Sequence, residues 1–459
     1  MRRFAAALAG WPGSCYSLSM GIRAWRLLAV VLLLLVAAAA CRAPAPLRRV
    51  FQPPSQHERY ETSLRDAGLA DTGLGRAWVE ASQRALTSPV QVELPFREAG
   101  YFSPSEATAV GYRFDLRRGQ QLTLEYEIQG GEPLVLFLDL FEHGDEPRRV
   151  ASAPEDAPRL EFEADRDGTY IVRLQPELLR GGRFVLTQRL AAALAFPVPD
   201  AVGRIHSMFG DPRDAGRRDH EGIDIFAPRG TPAVAATDGV VSSVGTNNLG
   251  GNVVWVRDPA RRLTLYYAHL DRATVVPGQR VQVGDTVGLI GNTGNARATP
   301  PHLHFGVYGH PSGALDPLPF VVSPPAALPA VPSDLSPIGQ LRRASRNGTR
   351  LGDGAGTTVA ARLERHTVLR VDGVAGTRLR VRLPDGSAGF VARGDTEALA
   401  TPVRRLALQD TRPLLDRPGS GGAVVTAVAP GAPIPVLGQF EGFLLVRDAE
   451  GRQGWIASS

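Results

Sequence analysis

Lysine is absent from all 459 residues, so each of the 51 basic positions is an arginine. That excludes a Walker-type phosphate loop, a Schiff-base lysine and a Ser-Lys dyad together, because each needs an amine on a flexible stem. Cysteine is almost as scarce, with Cys15 and Cys41 the two in the chain. Neither a cysteine-based zinc site nor a disulfide framework can be built from two. Surplus charge is also missing from most of the chain. The net charge is +5, yet Arg2, Arg3, Arg23 and Arg26 lie in the first 40 residues, which contain no acid. From residue 41 onward 47 arginines face 46 acids, so capture of polyanions is not expected and nucleic acid is not an expected partner.

Long hydrophobic runs are limited to residues 27–40, an uncharged stretch too short for a comfortable membrane span. With Arg23 and Arg26 ahead of it, this run has the layout of a signal-peptide core. Residues 1–40 are therefore expected to be an export signal, with Met20 as an alternative start. The ending Ala38-Ala39-Ala40-Cys41 resembles a lipoprotein signal, which implies Cys41 as a lipidated first residue and a membrane anchor. Ala-x-Ala also suits ordinary signal cleavage. The expected location is the periplasm or cell envelope.

The chain beyond residue 40 reads as mainly β. Residues 41–57 are rich in proline and arginine and form a tether. Residues 58–89 carry Leu64, Leu69, Leu74, Trp78 and Leu86 at roughly helical spacing and form a helical lead-in. Residues 90–190 alternate with period two between glycine-rich turns, which suggests an N-terminal β-sandwich module. Residues 201–320 are a glycine-rich β segment, and residues 321–338 a proline-rich linker. The remainder repeats itself. Leu379-Arg380-Val381-Arg382, Asp385-Gly386 and Gly389-Phe390-Val391 recur 65 positions later as Leu444-Leu445-Val446-Arg447, Glu450-Gly451 and Gly454-Trp455-Ile456. The pattern resembles tandem bacterial SH3-like barrels, over 339–400 and 401–459. Trp455 reads as a ligand platform or, at least as well, as a core aromatic.

Histidine is present where chemistry needs it. Six of the nine fall between residues 206 and 310, where even scatter would place about two. They occur in His220-Glu221-Gly222-Ile223-Asp224, Tyr266-Tyr267-Ala268-His269-Leu270 and Pro301-His302-Leu303-His304-Phe305, with His206 and His310 at the two ends. Residues two or four apart on a strand share a face, so His220 with Asp224, and His302 with His304, can look into one groove. Glu221, beside His220 on such a strand, would face the other way. A buried cluster of five such groups would cost several kcal/mol unsatisfied. A divalent cation held by two nitrogens and one carboxylate, with a fourth position open, removes that cost.

These motifs, with Ser207-Met208-Phe209-Gly210, Asp238-Gly239-Val240-Val241 and Val283-Gly284-Asp285, resemble the lysostaphin- and LytM-type zinc endopeptidases of bacterial cell walls. The resemblance implies a small antiparallel β fold with an open groove and one zinc ion per peptidase domain. It implies His220, Asp224 and His304 as metal ligands, and His269 and His302 as catalytic residues beside the metal. Pro300-Pro301 departs from the usual Gly-Pro before the His-x-His pair. The implied activity is hydrolysis of peptide bonds in peptidoglycan. A silent relative that binds wall components or activates a wall amidase is the alternative, and protein partners are not readable.

Overall fold

The computed structural model describes residues 53–459 apart from 131–133, 156, 200, 201, 326 and 459. The expected export signal and Cys41 lie outside the described residues. Among the described residues no helix is long and apolar enough to cross a membrane.

The helices come first. Ser55 and Glu58 form a reciprocal capping box at the start of helix Gln56–Asp66, satisfying two backbone donors. Thr72 accepts from the Gly75 N–H and opens the second helix, Gly73–Thr87. Their apolar faces meet at Trp78, which is fully buried against Leu64 and Phe137. The Trp78 indole donates to the Pro176 carbonyl at 2.9 Å and stacks on the buried His57 ring at 4.6 Å.

Two sheets follow. Val90–Gln91, Val110–Leu116, Gly168–Pro176, Leu136–Glu142 and Arg148–Ser152 hydrogen-bond in that order into a five-stranded sheet. Phe96–Phe102, Gly182–Ala192, Gln120–Gln129 and Arg159–Glu163 make a second layer, and alternate residues of both fill one core that includes Phe114, Leu122, Leu138, Tyr170 and Phe184. The second layer does not stop there. Phe96–Phe102 pairs with Val368–Ala375, Ala99 opposite Val374, so the sheet runs on into the C-terminal region.

The repeated motif takes the same local form twice. Val368–Ala375, Arg378–Arg382 and Ala388–Ala392 make an antiparallel meander with a register shift between Val371 and Gly373. Ile434–Phe440, Phe443–Arg447 and Gln453–Ala457 make another, with the shift between Val436 and Gly438. Trp455 is 6% exposed and packs in the core with Leu437 and Leu445, so it is a core aromatic and not a platform.

Between these parts lies an antiparallel sheet in the order Arg204–Ser207, Ile223–Phe226, His302–Gly309, Leu263–Ala273, Gly251–Asp258, Gly239–Asn247, Arg280–Val281. Ile223, Ile225, Leu265, Tyr267, Leu303 and Phe305 line its core face. Arg261 bridges Glu163 at 3.0 Å and Arg117 bridges Asp316 at 2.7 Å, joining this sheet's flank to the two-sheet module. The observed molecule is thus mainly β, with several antiparallel sheets.

Candidate metal centre and groove

Strand register brings the first residues together. Ile223–Phe226 runs antiparallel to His302–Gly309, with Asp224 opposite His304 and Phe226 opposite His302. Directly paired residues share a face. The intervening Ile223, Ile225, Leu303 and Phe305 turn into the core, which leaves Asp224, His302 and His304 facing the groove.

His220 arrives by another route. The strand begins at Ile223, so His220-Glu221-Gly222 is a loop and not the strand that the four-residue spacing suggested. The His220 N–H donates to the Asp211 carbonyl and its own carbonyl accepts from Gly210, both at 2.9 Å, clamping it to the preceding turn. Gly222 makes the approach feasible: a Cβ there would lie 2.7 Å from His304 Cε1 and 2.6 Å from the Phe305 carbonyl oxygen.

His269 is delivered by a break in alternation. Ala268 pairs with His304, so a regular strand would turn His269 to the opposite face. Its φ of +59° lies in the left-handed region, and the register shifts on both flanking pairings near Leu270. This bulge re-aims the imidazole into the groove while Leu270 returns to the core. The His269 ring then lies 4.9 Å from the His302 ring and 5.9 Å from that of His304.

The geometry separates two sets of atoms. His220 Nε2, Asp224 Oδ1 and His304 Nδ1 are 2.9–3.0 Å from one another, and all three residues are grouped as a candidate cation site. His220 Nδ1 lies 2.7 Å from the Met208 carbonyl, which can only accept. The ring proton is therefore on Nδ1, and Nε2 offers a bare lone pair to the cluster. A carboxylate oxygen and imidazole lone pairs turned on one point suit a divalent cation better than one another. The other set is His269 and His302, whose Nδ1 atoms both donate to carbonyls at 2.9 Å, of Thr293 and Pro300. Each is fixed as the tautomer with a free Nε2.

Burial sets the charges. It holds His269 down at about 4, aided by neighbouring His302, so the ring is neutral near pH 7. Burial likewise lowers His304. Burial opposes ionisation of Asp224, but its close polar contacts with the His220 and His304 rings outweigh it and keep the carboxyl well below the usual carboxylate range.

A groove of about 1170 Å³ runs over these residues. Arg213 and Glu221 are among the wall residues that were not foreseen. Arg213, on the short hairpin Pro212–Arg213 with Arg218–Asp219, donates to Asp224 Oδ2 at 3.0 Å and holds that carboxylate from the side away from the cluster. Glu221, expected to face away, is an exposed part of the groove wall and accepts from the Tyr308 hydroxyl at 3.3 Å. Being on a loop frees it from strand alternation.

Residues 218–317 match the model of peptidase family M23, and residues 409–459 match that of the bacterial SH3 domain. The chain carries an M23 peptidase domain of the lysostaphin/LytM-like kind. Over 86 residues the chain is 46% identical to the peptidoglycan DD-endopeptidase ShyC of Vibrio cholerae, covering 19% of each chain. Over 137 residues it is 38% identical to the L-Ala–D-Glu endopeptidase of Bacillus subtilis, covering 27% of this chain and 42% of that one. A DD-carboxypeptidase/endopeptidase Mpg of Neisseria meningitidis is 42% identical over 110 residues, 23% of this chain and 25% of its own. The chain thus spans less than half the length of each of these relatives. The M23 match takes in His220, Asp224, His269, His302 and His304.

Proposed function

We propose that the M23 domain is a zinc endopeptidase that cuts peptide bonds in peptidoglycan stems or cross-links. The observation carrying this is the triad of His220, Asp224 and His304, three mutually close donors beside two tautomer-fixed histidines in one groove. Those three residues would hold one zinc ion per domain. Bound there, zinc supplies Lewis acidity and a water of lowered pKa. His269 and His302 then do the proton work: each donates to a backbone carbonyl through Nδ1, which leaves its Nε2 to accept a proton and return it to a leaving amine. The relatives are named for different bonds, D,D and L-Ala–D-Glu, so the shared class is the wall peptide and the bond is particular to each enzyme.

The chain's other parts fit a role in the cell envelope. The N-terminal two-sheet module is a β-sandwich spacer, the regions 339–400 and 401–459 are tandem SH3-like barrels that contact the wall, and export with lipidation at Cys41 anchors the protein to the membrane.

Digestion of purified peptidoglycan, with mass spectrometry of the products, tests the activity and names the bond. Fragments with a cut peptide bond are expected; none under zinc-replete conditions would assign the chain to non-hydrolytic wall binders. His304→Ala should lose zinc and hydrolysis together. His302→Ala should keep stoichiometric zinc while turnover falls by roughly 100-fold or more. A His304→Ala protein that retains zinc and lyses walls would overturn the ligand assignment.

A further inference from the structure

The groove wall beside His220 has a chemistry that peptide hydrolysis does not use. Glu221 is exposed there, and its side chain accepts from the Tyr308 hydroxyl at 3.3 Å, with no arginine within ion-pair reach among the described residues. Tyr308 belongs to an aromatic group: its ring centroid is 5.4 Å from Trp255, and Trp255 is 4.2 Å from Tyr266. All four side chains line the same groove as the triad. The arginines nearby are already engaged, Arg213 with Asp224 at 3.0 Å and Arg218 with Asp214 at 2.5 Å. A carboxylate with no cationic partner among the described residues, hydrogen-bonded to a tyrosine that packs on Trp255 in the same groove, can hold an alkylammonium by charge, with cation–π attraction from the aromatic wall.

We infer that Glu221, with the Tyr308, Trp255 and Tyr266 wall, is a subsite for a primary ammonium on the side chain of a substrate peptide. This rests on the peptidase reading for the identity of the peptide. A wall cross-link made as a peptide bond consumes a second amine on one stem residue. A free stem keeps that amine as an ammonium, and a cross-linked stem has it as an amide. The subsite therefore reads cross-linking status and favours a peptide whose diamino residue is free.

The test is a binding titration, followed by tryptophan fluorescence or calorimetry, on full-length zinc-loaded His302→Ala protein so that turnover does not interfere. The probes are a synthetic stem tetrapeptide with a free side-chain amine and the same peptide acetylated on that amine. The free-amine peptide is expected to bind about 10-fold tighter, a difference that Glu221→Gln should reduce to within about 2-fold and Trp255→Leu should also weaken. Zinc content and circular dichroism of each variant report that the fold is intact. Equal binding of the two peptides, binding of neither, or a preference that survives Glu221→Gln would overturn the subsite. Peptidoglycan cleavage by the unmutated protein is measured in parallel. Cleavage without amine preference overturns the subsite alone, and amine preference without cleavage overturns the peptidase reading alone.

Discussion

At the scale of single residues, the centre depends on side chains that never touch the cluster's interior. Arg213 fixes the outer oxygen of Asp224 so that Oδ1 points inward. Outer partners of this kind are worth roughly 10–100-fold in metal affinity. Arg213→Gln should therefore weaken zinc retention by about 10-fold or more in competition with a chromophoric chelator, with the secondary structure unchanged. Gly222 acts through space alone. In Gly222→Ala the new methyl would collide with the His304 ring and the Phe305 carbonyl, and zinc stoichiometry should drop. The three motifs made His220, Asp224, His269, His302 and His304 readable from the sequence. Arg213 and Glu221 were not, since the placement of a short hairpin and of a loop decides where their side chains go.

At the scale of elements, the alternation rule worked where strands were regular and failed where they bent. Asp224 and His304 face each other because register and alternation agree. His269 reaches the groove through a left-handed residue inside a long strand, which alternation cannot anticipate. The helical pair shows the opposite case, in which local rules suffice: caps at Ser55 and Thr72 and an apolar stripe leading to Trp78. Trp78→Ala should cost about 3–5 kcal/mol in denaturant unfolding, for a fully buried aromatic. His57, stacked on Trp78, is held at about 4 by burial and then by Arg173. Its folded value lies below the unfolded one, so the unfolded state takes up the proton first as pH falls. Stability is expected to be retained above about pH 6.5 and lost between there and pH 4, by up to about 3 kcal/mol from this residue. Denaturant midpoints measured across that range should show a smaller slope in His57→Phe.

At the scale of the whole molecule, the C-terminal region is built into the N-terminal module. The Phe96–Phe102 edge is covered by Val368–Ala375, and Phe390 enters the core of the two-sheet module. Glu98 and Arg380, both buried, meet at 2.7 Å across the junction, over Gly373, where any Cβ would strike the Glu98 carboxylate. Glu98→Ala would leave a buried arginine unpaired and should destabilise by about 3–5 kcal/mol, while Glu98→Met with Arg380→Met should recover much of that loss in a double-mutant cycle. The proline-rich stretch before this region is also tied down, with Asp334 paired to Arg393 and Ile338 buried. Cleavage near residue 326 should accordingly leave the two fragments associated on a native sizing column.

The sequence by itself determined the chemistry. Without lysine and nearly without cysteine, the chain had histidine and aspartate as its metal-binding vocabulary, and it set them in motifs dense enough to resemble one family. It also determined the β periodicity and the 65-residue repeat, because alternation and turn residues are local properties. Only the tertiary structure decided that His220 comes from a loop, that His269 is turned by a bulge, that Arg213 and Glu221 belong to the groove, and that one sheet joins the two-sheet module to strands between residues 341 and 398. Those outcomes depend on contacts between residues far apart in the chain, whose energies no local pattern encodes.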